Sequence, residues 1–211
     1  MTPTNPFPGL RSFDYEESHL FFGREKHIED LLQKLSRNHF VAIVGTSGSG
    51  KSSLVRAGLL PTLEKQKDGG QANPWIITTM KPGNSPLENM ANSLLSRDEF
   101  KSDSKEQVSE VTQVLEASSL GLVQVTRKLL PEGKKLLILL DQFEETFRYS
   151  GAGIEVNDEQ SEKFVQLIID AIRQRDVPIF VILTIRSDFL GDCARFEGLP
   201  EAINDGHYLV P

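Results

Sequence analysis

The sequence predicts an α/β fold, a three-layer α/β/α domain in which a mostly parallel, five-stranded sheet lies between two layers of helices. Three short runs, at residues 40–44, 136–140 and 179–185, are apolar at nearly every position, as in strands buried on both faces. Segments with helical spacing of apolar residues separate these runs. Because strands that alternate with helices are typical of parallel sheets, the two observations together predict this architecture.

Residues 1–22 are predicted to form an arm that packs on a core domain at residues 23–211. Three prolines among the first eight residues prevent a regular helix. Aromatic side chains further along the arm would hold the segment against the domain. The core begins with a predicted helix over 24–37, because its apolar residues share one helical face: Ile28, Leu31, Leu32 and Leu35.

The middle of the chain is divided by prolines and glycines. The first buried strand leads through a Gly/Ser loop into a helix predicted at 51–64, and a further strand is predicted at 75–80. Pro82 breaks that strand. Pro86 suits the first turn of a helix at 86–96, because proline at that position loses no hydrogen bond.

The second half of the core repeats the alternation. Helices predicted at 105–116 and 120–130 precede the second buried strand, and an amphipathic helix predicted at 158–175 precedes the third. Short helices then lead to a last, short edge strand at 207–210.

Composition excludes several classes of protein. The 211 residues carry a net charge of -7, which argues against nucleic acid held by a general basic surface. The single cysteine, Cys193, excludes a disulfide framework and a multi-cysteine zinc site, and we expect it to be a buried, inert thiol. No apolar run approaches the ~18 residues of a membrane helix, and no secretory signal is visible. We therefore expect a cytoplasmic protein without a membrane partner.

Residues 45–52, Gly-Thr-Ser-Gly-Ser-Gly-Lys-Ser, match the P-loop pattern of glycine, four residues, glycine, lysine and serine. The match follows a predicted strand and opens a helix, as the motif requires. Glycines let successive backbone N–H groups form an anion nest, and the helix N-terminus adds partial positive charge. Lys51 is predicted to bridge the β- and γ-phosphates, and the Ser52 hydroxyl to be a ligand of Mg²⁺. A flexible Gly/Ser linker would not explain these two residues at that spacing.

An acidic cluster follows the second buried strand. Asp141 follows the carboxyl end of a buried strand, the position where ligands bind in open α/β sheets. We therefore predict that it either binds Mg²⁺ directly or contacts one of the groups that bind it. A later carboxylate can orient the attacking water, and Glu145 is the first candidate for this catalytic role, with Glu144 the second. The alternative is an ordinary acidic helix start.

Arg186 ends the third buried strand and is predicted to emerge at the same edge of the sheet as Asp141. A cation there can sense or stabilise the γ-phosphate. The alternative is a structural salt bridge to Asp188 or Glu144.

Four stretches together resemble the STAND class of P-loop NTPases, and most closely the bacterial novel STAND group of the AAA+- and NACHT-related branch. They are residues 5–13 with 21–25, the P-loop, residues 139–145 and residues 184–189. The resemblance implies a sheet of order 5-1-4-3-2 and a regulatory switch in which ADP holds a closed monomer and ATP permits homo-oligomerisation.

The resemblance also implies roles for particular residues. Residues 23–25 would lie near adenine and ribose, and Arg186 would be the sensor arginine. Phe21 and Phe22 are expected to pack beside the nucleotide or the core rather than form an exposed partner patch. The predicted nucleotide-binding set is Gly45, Thr46, Ser47, Gly48, Ser49, Gly50, Lys51, Ser52, Ser53, Phe22, Gly23 and Arg24.

Members of this family continue into a helical lid and a winged-helix region. Because the sequence ends at Pro211, we expect it to be the core of a longer protein with sensor and effector domains, and to hydrolyse ATP slowly. We predict a Mg²⁺-dependent ATPase that binds ATP and ADP. The sequence has no Asn-Lys-x-Asp motif, the motif that recognises guanine, and this favours adenine. Two alternatives stay open, a P-loop small-molecule kinase and a scaffold that retains a nucleotide without turnover.

Overall fold

The computed structural model describes residues 11–65, 74–100, 105–148 and 158–211. Its centre is one sheet in which every paired strand is parallel and the order is β2-β3-β4-β1-β5. This is the predicted order read from the opposite edge, so the predicted three-layer fold is confirmed. The strands are β1 (Phe40–Gly45), β2 (Trp75–Met80), β3 (Lys135–Leu140), β4 (Ile179–Arg186) and β5 (His207–Leu209).

Helices cover both faces of the sheet. The α-helices are α1 (Glu25–Arg37), α2 (Lys51–Ser53), α3 (Leu60–Lys65), α4 (Pro86–Leu95), α5 (Lys105–Ala117), α6 (Gly121–Leu129), α7 (Glu145–Arg148), α8 (Asp158–Arg173) and α9 (Leu199–Gly206). Short 3₁₀ helices are present at Tyr15–Leu20, Asp98–Phe100 and Ser187–Arg195.

The helix predicted at 51–64 differs from a regular α-helix. A π-helical segment, Leu54–Leu59, lies between α2 and α3. Gly58 in this segment touches its neighbours so closely that a Cβ atom there would lie 2.9 Å from Ile28 Cδ1 and 3.2 Å from Phe21 Cε1. The helix after the P-loop is therefore packed tightly against α1 and the end of the arm. Sequence spacing does not reveal the π segment, because the pattern at 51–64 predicts a continuous helix without distinguishing its hydrogen-bond register.

The sheet separates two hydrophobic cores, because alternate strand residues face opposite sides. In β1, Val41 and Ile43 face the core beneath α1 and α3, whereas Ala42 and Val44 face the larger core beneath α4, α5, α6 and α8. Each face of the central strands is covered, which explains their continuous apolar sequences.

Several smaller predictions can also be compared with the structure. Residues 11–22 pack on the domain, while residues 1–10 of the predicted arm lie outside the described residues. Cys193 is buried, and burial raises the pKa of its thiol to about 12, so the prediction of an inert thiol is supported. Among the described residues, none of the helices combines the length and apolar character needed to cross a bilayer.

Candidate functional site

A cleft of about 900 Å³ opens at the carboxyl edge of the sheet. Because all five strands are parallel, their carboxyl ends meet at this edge. The loops after β1, β2 and β3 and the end of β4 all contribute to the cleft wall. The remaining wall is formed by Arg11, Ser12 and Phe13 of the arm. The cleft is thus enclosed by residues that are far apart in the sequence.

The loop from Gly45 to Lys51 needs glycine for two different reasons. Gly48 and Gly50 have φ angles of 79° and 84°, in the left-handed region that side chains disfavour, although space around them is open. At Gly45 the limit is crowding, since a Cβ atom would lie 2.6 Å from Ser49 Oγ. The glycines therefore maintain the loop conformation that a P-loop requires.

Lys51 lies across the mouth of this loop with only 9% of its surface exposed. Its Nζ donates hydrogen bonds to Gly45 O at 2.9 Å and to Thr46 O at 2.8 Å. Burial lowers the pKa of Lys51, Glu144 partly opposes that shift and Arg186 adds to it. An arriving phosphate would favour the charged ammonium and raise this pKa again, because it brings opposite charge to a desolvated cation.

Ser52 and Asp141 are brought together as predicted for a magnesium site. The Ser52 hydroxyl donates to Asp141 Oδ1 at 2.8 Å, and Thr184 Oγ1 donates to the same oxygen at 2.7 Å. Thr184 Oγ1 also accepts the Gln142 N–H at 2.9 Å, which links β4 to the loop after β3. Since Ser52 uses its proton on Asp141, its oxygen lone pairs remain available for a cation.

These residues fit Mg²⁺ in the manner of a P-loop. In the described part of the chain there is no group of three or more His, Cys, Asp or Glu side chains that could hold a metal by themselves. Mg²⁺ in phosphate-transfer sites is bound through few protein ligands, with phosphate oxygens and water completing its shell. Ser52, oriented by Asp141, would supply such a ligand.

The two candidate catalytic glutamates occupy different environments. Glu144 is 6% exposed, and its Oε2 accepts the backbone N–H of Arg186 at 3.4 Å. Glu145 begins α7, is partly exposed and also lines the cleft. Between Asp141 and these glutamates, Gln142 has a φ of 59°, an uncommon value for a residue with a side chain.

Arg186 lines the cleft but is paired with a neighbour. Its Nε lies 3.1 Å from Asp188 Oδ1 and its Nη2 lies 2.5 Å from Asp188 Oδ2. The guanidinium also lies over the Phe189 ring, 5.3 Å from the ring centre. The salt bridge weighed as the alternative in the sequence analysis is therefore present, and the phosphate-sensing role of Arg186 stays a prediction.

The segment expected beside adenine does not line the cleft. Phe22 is 76% exposed, which is contrary to the expectation that it packs on the core, whereas Phe21 packs against the core beneath α1. The Gly23 N–H is bonded to Glu25 Oε1 at 2.9 Å, and Arg24 Nη1 donates to His27 Nε2 at 3.2 Å. Contact of residues 22–24 with a nucleotide thus stays a prediction.

Sequence reasoning missed several cleft residues. The Phe13 N–H donates to Ser53 Oγ at 3.0 Å, which holds the arm against the P-loop helix. Arg56 Nη2 lies 3.0 Å from Asp141 Oδ2. Lys81 directly follows β2, so the position rule that identified Asp141 could also have identified Lys81. Arg56 follows Ser52 by four residues, so the two residues share one face of the helix. This spacing is a weaker indication that Arg56 lines the cleft, because it requires knowing which face of the helix is turned toward the cleft.

Comparison with known proteins identifies a family for this chain. The model of one family, Novel STAND NTPase 1, matches residues 6–211. A comparison with curated proteins finds no match.

Several solved structures of similar fold are distant from this chain in sequence. The chain resembles the Aeropyrum pernix ORC2 protein, solved as ADPNP and ADP complexes, with a TM-score of 0.52, 16% identity, and coverage of 90% of this chain and 48% of that one. A Walker-type ATPase of Pyrococcus abyssi gives a TM-score of 0.53, 15% identity, and coverage of 94% and 55%. The structure of Drosophila ORC bound to DNA gives a TM-score of 0.52 and 14% identity, with coverage of 88% of this chain and 42% of that one. The chain thus spans about half the length, or less, of these proteins, and the likeness concerns the fold.

Proposed function

The chain belongs to the novel STAND NTPase 1 family, and from this premise we propose that it binds ATP and ADP with Mg²⁺ and hydrolyses ATP slowly as a regulatory switch. The observation that carries the proposal is the joint placement of Lys51, Ser52 and Asp141 at one end of the cleft. The cleft presents a cation, backbone donors and an oriented hydroxyl to the same volume, the combination that phosphate chains require.

The residues of the chain would divide the work of binding and hydrolysis. The P-loop backbone would hold the phosphates, and Lys51 would leave the carbonyls of Gly45 and Thr46 to neutralise charge on the β- and γ-phosphates. Mg²⁺, when bound, would neutralise further charge on these oxygens. Glu145, or Glu144, would accept a hydrogen bond from the attacking water and orient it. Arg186 would break its ion pair with Asp188, bind the γ-phosphate in its place and stabilise the negative charge there.

The switch would depend on the difference between ADP and ATP. Only ATP would supply an acceptor that competes with Asp188 for Arg186, so the two nucleotides would leave the segment after β4 in different arrangements. We expect ADP to favour a closed monomer and ATP to favour a homo-oligomer, with sensor and effector domains of a longer chain reading that difference. We also expect the protein to be cytoplasmic.

The decisive experiment identifies the nucleotide. The purified protein is denatured, and released nucleotide is identified by chromatography, followed by titration of emptied protein with Mg²⁺·ATP, ADP and GTP. We expect adenine nucleotide to be released or bound, and Lys51→Ala to weaken its affinity at least about 100-fold because a buried charge on the phosphates is lost. Arg127→Ala, on a distant surface ion pair, is the control. Equal behaviour of Lys51→Ala and the unmodified protein would contradict the proposal.

A further inference from the structure

Arg56 is the cationic partner of the carboxylate predicted to serve Mg²⁺. The side chain of Asp141 is only 3% exposed, and a carboxylate that is so deeply buried needs donors or opposite charge on both oxygens. The hydroxyls of Ser52 and Thr184 satisfy Oδ1. Arg56 Nη2, at 3.0 Å, is the partner of Oδ2, so Arg56 places a positive charge directly against this carboxylate.

The same guanidinium also approaches the arm. Arg56 Nη1 lies 3.9 Å from Asp14 Oδ1, and Asp14, which is 60% exposed, caps the 3₁₀ helix Tyr15–Leu20. The Arg56 Nε–H is buried without an acceptor in the described parts of the chain. The guanidinium is therefore held only through its terminal nitrogens, between a buried and an exposed carboxylate, and a small rotation would favour one over the other.

Metal binding would change the balance between these two carboxylates. A divalent cation at Ser52 would add two positive charges beside Asp141, which already faces one from Arg56. Cations that share a carboxylate repel one another, and the repulsion is strong where water is excluded. Arg56 can escape this repulsion toward Asp14 without losing an ionic partner.

We propose that Arg56 is the counter-ion of Asp141 in the metal-free site, and that Mg²⁺ replaces it there while Arg56 turns to Asp14 of the arm. This inference rests on the proposed function, because Mg²⁺ arrives with the nucleotide. Before binding, Arg56 pairs with Oδ2 of Asp141, while Oδ1 of the same carboxylate accepts the Ser52 hydroxyl and orients it. After binding, the long Arg56–Asp14 ion pair would shorten and strengthen the attachment of the arm beside its existing anchor, the Phe13 N–H to Ser53 Oγ hydrogen bond.

The test measures ATP affinity with Mg²⁺ and with EDTA in the unmodified protein, Arg56→Met and Arg56→Lys. Met keeps an unbranched side chain as far as about the position of Nε but removes the guanidinium and its charge. We expect the ratio of the two affinities to grow about tenfold in Arg56→Met, because Asp141 then lacks its direct ion-pair partner and Mg²⁺ meets no competing guanidinium. The ratio should return toward the original value in Arg56→Lys. Arg127→Met is the matched control, since it breaks an exposed Arg–Asp pair far from the cleft.

Two further readouts separate this role from a merely structural one. Metal-free Arg56→Met should melt roughly 5 °C or more below the unmodified protein, and this loss should vanish in an Asp141→Asn background. Hydrogen exchange at Tyr15–Leu20 should slow on addition of Mg²⁺·ATP relative to ATP with EDTA, but not in Arg56→Met or Asp14→Asn.

An equal loss of affinity with and without Mg²⁺ would overturn the inference, because Arg56 would then contact the phosphates or only support the fold. An undiminished melting loss in the Asp141→Asn background would also overturn it. In both cases the unmodified protein still binds Mg²⁺·ATP and the proposed function stands. If the unmodified protein and Lys51→Ala both fail to bind, the proposed function and the replacement of Arg56 by Mg²⁺ fall together.

Discussion

The two walls of the cleft are built in contrasting ways. The sheet wall, formed by Lys51, Ser52, Asp141 and Thr184, consists of largely buried groups joined by hydrogen bonds of 2.7–2.9 Å. The arm wall, Arg11, Ser12 and Phe13, is more exposed and depends on a backbone hydrogen bond to Ser53 and on the Arg11–Glu17 ion pair. We infer that the sheet wall is preorganised for phosphate, whereas the arm wall can adjust at low energetic cost.

The largest expected effect is on turnover at the sheet wall. Glu145→Gln should lower ATP hydrolysis about 100-fold or more, since water would lose its orienting carboxylate, while ATP affinity changes little. Steady-state hydrolysis and equilibrium titration measure the two quantities.

Glu144→Gln is the matched comparison. Glu144 is more deeply buried and already accepts the Arg186 N–H, so we expect its substitution to affect turnover less. A larger loss in Glu144→Gln than in Glu145→Gln would reverse the two assignments, and unchanged turnover in both would remove the catalytic role from this pair.

The next effect concerns stability of the same wall. Thr184→Val should lower the free energy of unfolding by about 1–3 kcal/mol, because Asp141 loses a donor and the Gln142 N–H loses its acceptor in a buried site. Chemical denaturation measures this change. Thr184→Ser keeps the hydroxyl and should recover most of the loss. A Ser variant as unstable as the Val variant would show that packing of the Thr184 methyl group contributes as much as the two hydrogen bonds.

A smaller effect is expected where the sheet wall reaches the surface. Asp188→Asn removes the ion-pair partner of Arg186, and since the pair is partly exposed, stability should change by less than about 1 kcal/mol. If Arg186 contacts the γ-phosphate, its release should raise affinity for ATP relative to ADP by roughly threefold. Parallel titrations with both nucleotides measure this ratio, and equal changes for ATP and ADP would exclude a γ-phosphate sensor.

The smallest effect tests the arm wall through pH. The Arg11 guanidinium lowers the pKa of Glu17 from 4.5 to about 2. A carboxyl group with a depressed pKa stabilises the fold above its unfolded pKa, and this contribution is lost as pH falls through the folded pKa. The difference in melting temperature between the unmodified protein and Glu17→Gln should therefore be constant above pH 4.5 and shrink toward pH 2. A difference that does not vary with pH would contradict the ion pair, and Glu16→Gln is the control.

Much of the sheet wall could be predicted because its signals are local. The P-loop is contiguous, and the buried strands before Gly45, Asp141 and Arg186 place all three at one edge once the sheet is parallel. The boundaries of most elements agree with the sequence, because apolar periodicity and prolines act within a few residues. The strand order agrees with the order that the family resemblance implied.

The arm wall and the partners of the site could not be predicted in the same way. The contacts of Phe13 with Ser53, Thr184 with Asp141, and Arg56 with Asp141 join residues 40 or more positions apart. The pairing of Arg186 with Asp188 is local, yet the choice between that partner and Glu144 depends on how β4 emerges beside the loop after β3.

By itself, the sequence determined the α/β architecture, the P-loop and the carboxylates that follow β3, because each depends on residue types at short spacing. Only the tertiary structure decided that Arg56 faces Asp141, that residues 11–13 rather than 22–24 border the cleft, and that the helix after the P-loop contains a π segment. The physical reason is that a buried charge takes whichever partner the packing of distant segments brings within reach, and that partner leaves no mark in local sequence.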